Sequence, residues 1–200
     1  MRIIKGITKG LLVLHTRHNI IHGNLTSNNV LLDVDLNPKI LDYGFSWLMA
    51  TAVNSNMIAA AGALGYRAPE LSKLKKANTK TDIYSLGAIM LELLTGKSTQ
   101  EVDDGVGLPQ WVASVVNEER TNEVFELKLM KDSYATGDEL LNTLKLALHC
   151  VDPSPVARPE VQLILQQLED IKPETTTGEG GGGTSSRGEA GVVLGHFFHY

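Results

Sequence analysis

The stretch Ile20–Asp33, IIHGNLTSNNVLLD, decides how this chain is read. Two apolar residues, Ile20 and Ile21, lead into a polar loop, and Val30, Leu31 and Leu32 lead out of it. The loop carries His22, Asn24, Asn28 and Asn29, but no carboxylate, lysine or arginine before Asp33. A loop framed on both sides by apolar runs, yet without an acid or a strong base, raises the question of what the frame is kept for. Downstream, VLLD (30–33) and PKIL (38–41) predict two short strands around a turn at 34–37. Upstream, Ile3, Ile4, Ile7, Leu11 and Leu14 recur at helical spacing, with Lys5 and Lys9 off that face. They predict an amphipathic helix ending near 15–19.

Residues 42–70 keep no sustained period, and an irregular segment of that length inside a compact domain is usually functional. Thr81 and Asp82 are then expected to cap a helix that runs to Thr95 and stops at Gly96. That helix is apolar almost all round, apart from Glu92, which predicts the buried centre of the domain. Further helices are predicted over 108–118, 137–149 and 159–172, with PSP (153–155) and Arg158-Pro159 punctuating the last connection. After Pro173 the composition shifts to TTTGEGGGGTSSRGEAG, which predicts a disordered Gly/Ser/Thr-rich tail over 173–200 following a domain over 1–172. The closing VVLGHFFHY reads as apolar but isolated, and His196 and His199 lack a third ligand for a metal.

Composition narrows the function classes. The chain has 200 residues, 42% hydrophobic and 20% charged, enough to bury a core. Its net charge of −5 argues against nucleic acid as a partner. The basic cluster Lys73, Lys75, Lys76 and Lys80 reads as a solvated turn. A single cysteine, Cys150, excludes an internal disulfide and fits a reducing compartment; its apolar neighbours predict a buried, inert thiol. No run is long and apolar enough for a membrane segment, so the chain as given is expected to be cytoplasmic.

Four motifs follow one another: HGNLTSNN, LDYG, GYRAPE and DIYSLG. Together they resemble the C-terminal lobe of a protein kinase, and the run AGALGYRAPELSKLKKANTKTDIYSLG is similar to the inflorescence meristem group of plant leucine-rich-repeat receptor-like kinases. The resemblance covers residues 1–172 and implies an α+β, mainly α-helical fold: the kinase-like large lobe without the small lobe. It also implies site residues. Asn24 stands where the family has the aspartate that accepts the substrate hydroxyl proton, and Thr26 stands where a lysine is common. An amide is not a usable base, and a threonine offers no positive charge to a transferring phosphoryl group. Ala63 replaces the threonine of G-T-x-G-Y, and Gly23 the arginine that pairs with a phosphorylated activation loop, so phosphorylation at Ser46, Thr51 or Ser55 is not expected to order this loop.

What the resemblance implies is kept is mostly structural. Asn29 and Asp42 match the two magnesium ligands, with Tyr43 for the usual phenylalanine; Glu70 is expected to pair with Arg158, and Asp82 to bind the backbone of the His22 loop. The 200 residues contain no G-x-G-x-x-G loop between a strand and a helix and no strand-lysine motif. The expectation is therefore a truncated pseudokinase that acts by binding or scaffolding, with an active receptor-like kinase or co-receptor as partner. No cofactor is expected for this chain alone, and ATP with Mg if a small lobe lies upstream. In that case the protein would sit at the cytoplasmic face of the plasma membrane, and the alternative is part of an active Ser/Thr kinase. A surface facing the missing lobe, around Asp42, is expected to be exposed.

Overall fold

The computed structural model describes residues 1–43, 64–72, 77–99, 107–126, 136–171 and 192–194. It is mainly helical with one small sheet. The helices are α1 (Arg2–Arg17), α2 (Thr79–Thr95), α3 (Leu108–Asn117), α4 (Gly137–Cys150) and α5 (Val161–Ile171), and the strands are β1 (Val30–Leu32), β2 (Pro38–Ile40) and β3 (Val192–Val193). The lobe has the predicted α+β, mainly helical character.

Helix α2 is the axis of the core, buried over nearly all its length from Thr81 to Thr95. It packs most extensively on α4, and α3 and α1 also lie against it. Gly87 sets the α2–α4 separation: a Cβ there would lie 2.7 Å from the Cβ of Cys150. The cysteine is fully buried, and burial pushes its thiol up to about 12, so it is inert. The cap of α2 is not the expected pair. Asn78 is the N-cap, its side chain accepting from the Thr81 amide at 3.1 Å while Thr81 Oγ1 accepts from the Asn78 amide at 3.0 Å. Thr81 therefore occupies the third helical position, and Asp82 is left to turn its carboxylate outward from the helix. Gly96 ends the helix at φ 68°, the left-handed conformation a glycine adopts without penalty.

Helix α1 buries Ile4, Ile7, Leu11 and Leu14, but also Thr8 and Lys5. The placement of Lys5 off the buried face is thus corrected: it is 5% exposed, its aliphatic stem long enough to lie along apolar neighbours. Gly6 and Gly10 let the β1–β2 hairpin lie directly on α1; a Cβ at Gly6 would overlap the Pro38 ring, and one at Gly10 would reach Ile40 Cδ1 at 3.0 Å. The hairpin pairs Val30 with Ile40, Leu31 with Lys39 and Leu32 with Pro38. Its turn is held by Asp33, whose Oδ1 accepts from the amides of Asp35 (3.0 Å) and Asn37 (2.8 Å).

Two expectations about isolated surface segments are corrected. Val192 and Val193 pair antiparallel with Leu32 and Leu31, giving the strand order β2-β1-β3, and Leu194 is 1% exposed. These β-branched residues find an unpaired strand edge, so this part of the tail is attached to the domain. The rest of 172–200, including His196 and His199, lies outside the described residues. Lys80 is not a solvated turn residue either: its Nζ donates to the Arg158 carbonyl at 2.6 Å and pairs with Glu160 at 2.7 Å. Lys73, Lys75 and Lys76 lie outside the described residues.

Arg158 closes the lobe. It is 1% exposed. Its Nη1 and Nη2 donate to Glu70 Oε1 and Oε2 at 2.7 and 2.8 Å, Nε donates to the Asp152 carbonyl at 2.8 Å and Nη1 to the Lys80 carbonyl at 2.9 Å, while the Tyr84 ring lies 5.0 Å away. Burial alone would raise the Glu70 carboxyl, but the Arg158 hydrogen bonds and charge outweigh it and hold it below the ordinary glutamate value. The pair therefore contributes at neutral pH, and that contribution is lost as pH falls through the carboxylate range. Glu70→Ala leaves a buried guanidinium without its counter-charge and is expected to lower stability by about 3 kcal/mol in urea unfolding.

Candidate functional site

The His22 loop is built on one carboxylate. Asp82, 1% exposed, accepts from the His22 amide through Oδ2 and the Gly23 amide through Oδ1, each at 2.8 Å, and His15 Nε2 lies 2.9 Å from Oδ2. Its position in the first turn of α2 places negative charge at the positive end of the helix. His22 itself is fully buried. The Asn24 amide donates to its Nδ1 at 3.3 Å, so Nε2 carries the proton and donates to the Leu41 carbonyl at 3.0 Å. Burial lowers the His22 pKa despite the nearby charge of Asp82. The histidine is thus a neutral brace between the loop and the chain entering Asp42.

Asn29 does the corresponding work at the far end. Its Nδ2 donates to the Asn24 carbonyl at 2.8 Å, and its own carbonyl accepts from the Leu41 amide at 2.8 Å. These bonds bring positions 24, 29 and 42 to one end of the hairpin. Asn24 and Asp42 are exposed there, and Asp42 has φ 56°. Thr26 is 6% exposed and turned into the lobe rather than toward solvent. With Nδ2 engaged, Oδ1 is the Asn29 atom available to a cation. Among the described residues no group of three or more His, Cys, Asp or Glu is placed to hold a metal ion. An Asn oxygen and one carboxylate fit magnesium only when phosphate oxygens and water complete the shell. Gly44, Ser46, Thr51, Ser55 and Ala63 lie outside the described residues.

Gly23 has φ 74°. The loop thus needs a left-handed residue at the position where the resemblance puts an arginine, and glycine meets that need without a Cβ clash. Leu41 and Tyr43, beside Asp42, are 38% and 54% exposed, so the flank of the site is an apolar surface open to solvent.

One part of the site had escaped the sequence reading. Ser27 Oγ donates to the Tyr66 hydroxyl at 2.6 Å, which donates to Glu92 Oε1 at 2.7 Å, and the Thr99 amide donates to the same oxygen at 2.9 Å. Ser85 Oγ adds a bond to the Tyr66 carbonyl at 2.8 Å. Burial, then the charge of Glu92, raises the Tyr66 pKa well above its ordinary value, so the phenol stays protonated as a donor. The signal was present: Glu92 is the charged residue in the apolar run 86–94, and a buried charge requires partners.

Two outcomes are expected. His22 is neutral in the folded state and has a pKa near 6.5 unfolded, so the unfolded chain takes up the extra proton as pH drops. Stability should therefore fall from about pH 6.5 downward, by at most about 1.4 kcal/mol per pH unit, and His22→Gln should flatten that slope in urea titrations. Gly23→Arg should cost about 1 kcal/mol of stability, because an L-residue is strained at this φ.

The protein kinase domain family matches residues 1–168. The chain is 66% identical over 177 residues to the "Probable leucine-rich repeat receptor-like protein kinase IMK3" of Arabidopsis thaliana, a match covering 88% of this chain and 23% of that protein. It is 35% identical over 194 residues to the "Probable inactive receptor kinase At3g08680" of the same plant, covering 94% of this chain and 30% of that protein. It is also similar to the solved pseudokinase domain of BIR2, an immune regulator of the RLK/Pelle family, with a TM-score of 0.72 and 32% identity over 85% of this chain and 50% of that one. The chain thus spans between a fifth and a third of the length of these two curated relatives. The motifs, the helical lobe with its small sheet, and these matches agree: the chain belongs to the protein kinase domain family, and is kinase-domain sequence of the plant receptor-like kinase type.

Proposed function

We propose that this kinase-like lobe acts by binding other proteins rather than by transferring phosphate. The observation that carries the proposal is the pairing of a kept frame with a substituted centre. His22, Asn29 and Asp82 hold the loop through named hydrogen bonds, yet the exposed residue at the proton-acceptor position is Asn24. A carboxamide can neither accept the proton of a substrate hydroxyl nor carry charge. Thr26, buried and uncharged, offers nothing to a phosphoryl group. Relatives that carry the name "Probable inactive receptor kinase" and a pseudokinase neighbour support the same reading. The partner proposed is a protein of the signalling complex, such as an active receptor-like kinase or co-receptor, met at the cytoplasmic face of the plasma membrane. No described helix is long and apolar enough to cross a membrane.

A second reading rests on Asn29 and Asp42. Their oxygens would hold magnesium if a small lobe supplied the nucleotide phosphates, and the chain would then be part of an active Ser/Thr kinase. The deciding experiment fuses the chain to the small lobe of its 66%-identical relative. Phosphorylation of a generic Ser/Thr substrate is compared before and after Asn24→Asp with Thr26→Lys and Ala63→Thr. The expected result is no turnover above background for the unmodified fusion and a gain of about a hundredfold or more on restoration. Turnover by the unmodified fusion would favour the enzyme. Mg-ATP is expected to leave the melting temperature of the 200-residue chain unchanged, since only a ligand bound by the folded state raises it.

A further inference from the structure

We propose that the outer edge of β1 is a docking edge for an extended apolar segment, and that residues 192–194 of this chain are its resident occupant, closing the lobe beside the His22 loop. The inference is independent of whether the lobe transfers phosphate. The edge of β1 opposite β2 would otherwise present unpaired backbone groups, the usual template for strand addition. Here it pairs in antiparallel register, Leu31 with Val193 and Leu32 with Val192. Leu194 anchors the strand, 1% exposed and continuous with the core cluster that includes Val30 and Leu32. The strand also lies against the turn Ser27–Asn29, and so beside the candidate ligand Asn29.

The occupant's chemistry follows from these contacts: an uncharged extended segment with two β-branched residues and then a leucine. A strand of two residues holds only weakly, so a free peptide fills the edge only at high concentration. The resident strand is covalently tethered, however, by the 20 residues 172–191, seven of them glycine. The attachment makes the pairing intramolecular, so it does not depend on the bulk concentration of a free segment. A partner segment of the same pattern can occupy the edge only by displacing residues 192–194, which links partner binding to uncovering of the loop that carries Asn29.

The test uses the full chain. Directly paired residues of antiparallel strands have Cα atoms about 4.5–5.5 Å apart, within disulfide reach. Leu31→Cys combined with Val193→Cys is therefore expected to form an intramolecular disulfide under mild oxidation, with the buried Cys150 not taking part. Absence of the cross-link would overturn the proposal, and a cross-linked dimer would overturn the assignment of the occupant to the same chain. In parallel, Leu194→Asp should accelerate amide exchange at Leu32, whose N–H faces β3, about tenfold or more, while Leu31, whose N–H faces β2, serves as the control. A synthetic peptide of residues 190–200 at millimolar concentration should restore protection. Unchanged exchange, or no protection by the peptide, would refute a docking edge. The cysteine pair still decides the matter if the aspartate variant fails to fold.

Discussion

The arrangement of this lobe depends on one buried carboxylate. Asp82 sits in the first turn of the central helix and accepts two backbone amides from the His22 loop as well as lying against His15. A carboxylate with almost no solvent contact is tolerable only when fully partnered, and the partners here come from α1, the loop and the positive end of α2. The loop is thus fixed from below, by the core, and its shape does not depend on what its exposed residues do. That is why an asparagine can stand at position 24, where the resemblance puts an aspartate, without collapse of the frame around it.

Arg158 complements Asp82 with the opposite charge. It reaches Glu70 and the carbonyls of Lys80 and Asp152, so the start of α2, the turn Pro69–Ser72 and the connection into α5 are gathered around one guanidinium. Two buried ions of opposite sign near one end of a single helix organise the segments on either side of it. The side chains at 23, 24 and 26 bear on neither ion; position 23 meets Asp82 only through its backbone amide, which any residue type keeps. Gly23 even suits its backbone better than the residue it replaces, since the loop turns through a positive φ there.

Much of this was legible in the sequence because it rests on residue type at fixed spacing. The order of the motifs announced the lobe, and the all-round apolar pattern of 83–94 announced the central helix. The roles of Asp82, Glu70 and Arg158 came with the resemblance, and the structure brings each to the group it was expected to meet. What was missed depends on contacts distant in sequence. Asn78 and Thr81 form a reciprocal cap that looks, in one dimension, like a cap three residues later. Helical spacing puts Lys5 off the buried face and clustered charge puts Lys80 in a solvated turn, whereas a long aliphatic stem and a nearby carbonyl decide their placement. Val192–Leu194 read as an orphan because no local pattern reveals an open strand edge 160 residues earlier.

The hydrogen-bonded chain from Ser27 through Tyr66 to Glu92 has a thermodynamic consequence. It joins the His22 loop directly to the segment 64–72 through side chains that are nearly or wholly buried and need no phosphorylated residue. Coupling free energies are reciprocal. A protein that grips residues 64–72 and tightens these bonds alters the affinity of the loop for its own ligand, and a ligand at the loop alters the grip on 64–72 by the same factor. That symmetry is a means of passing a signal: occupancy at one surface is read as affinity at another.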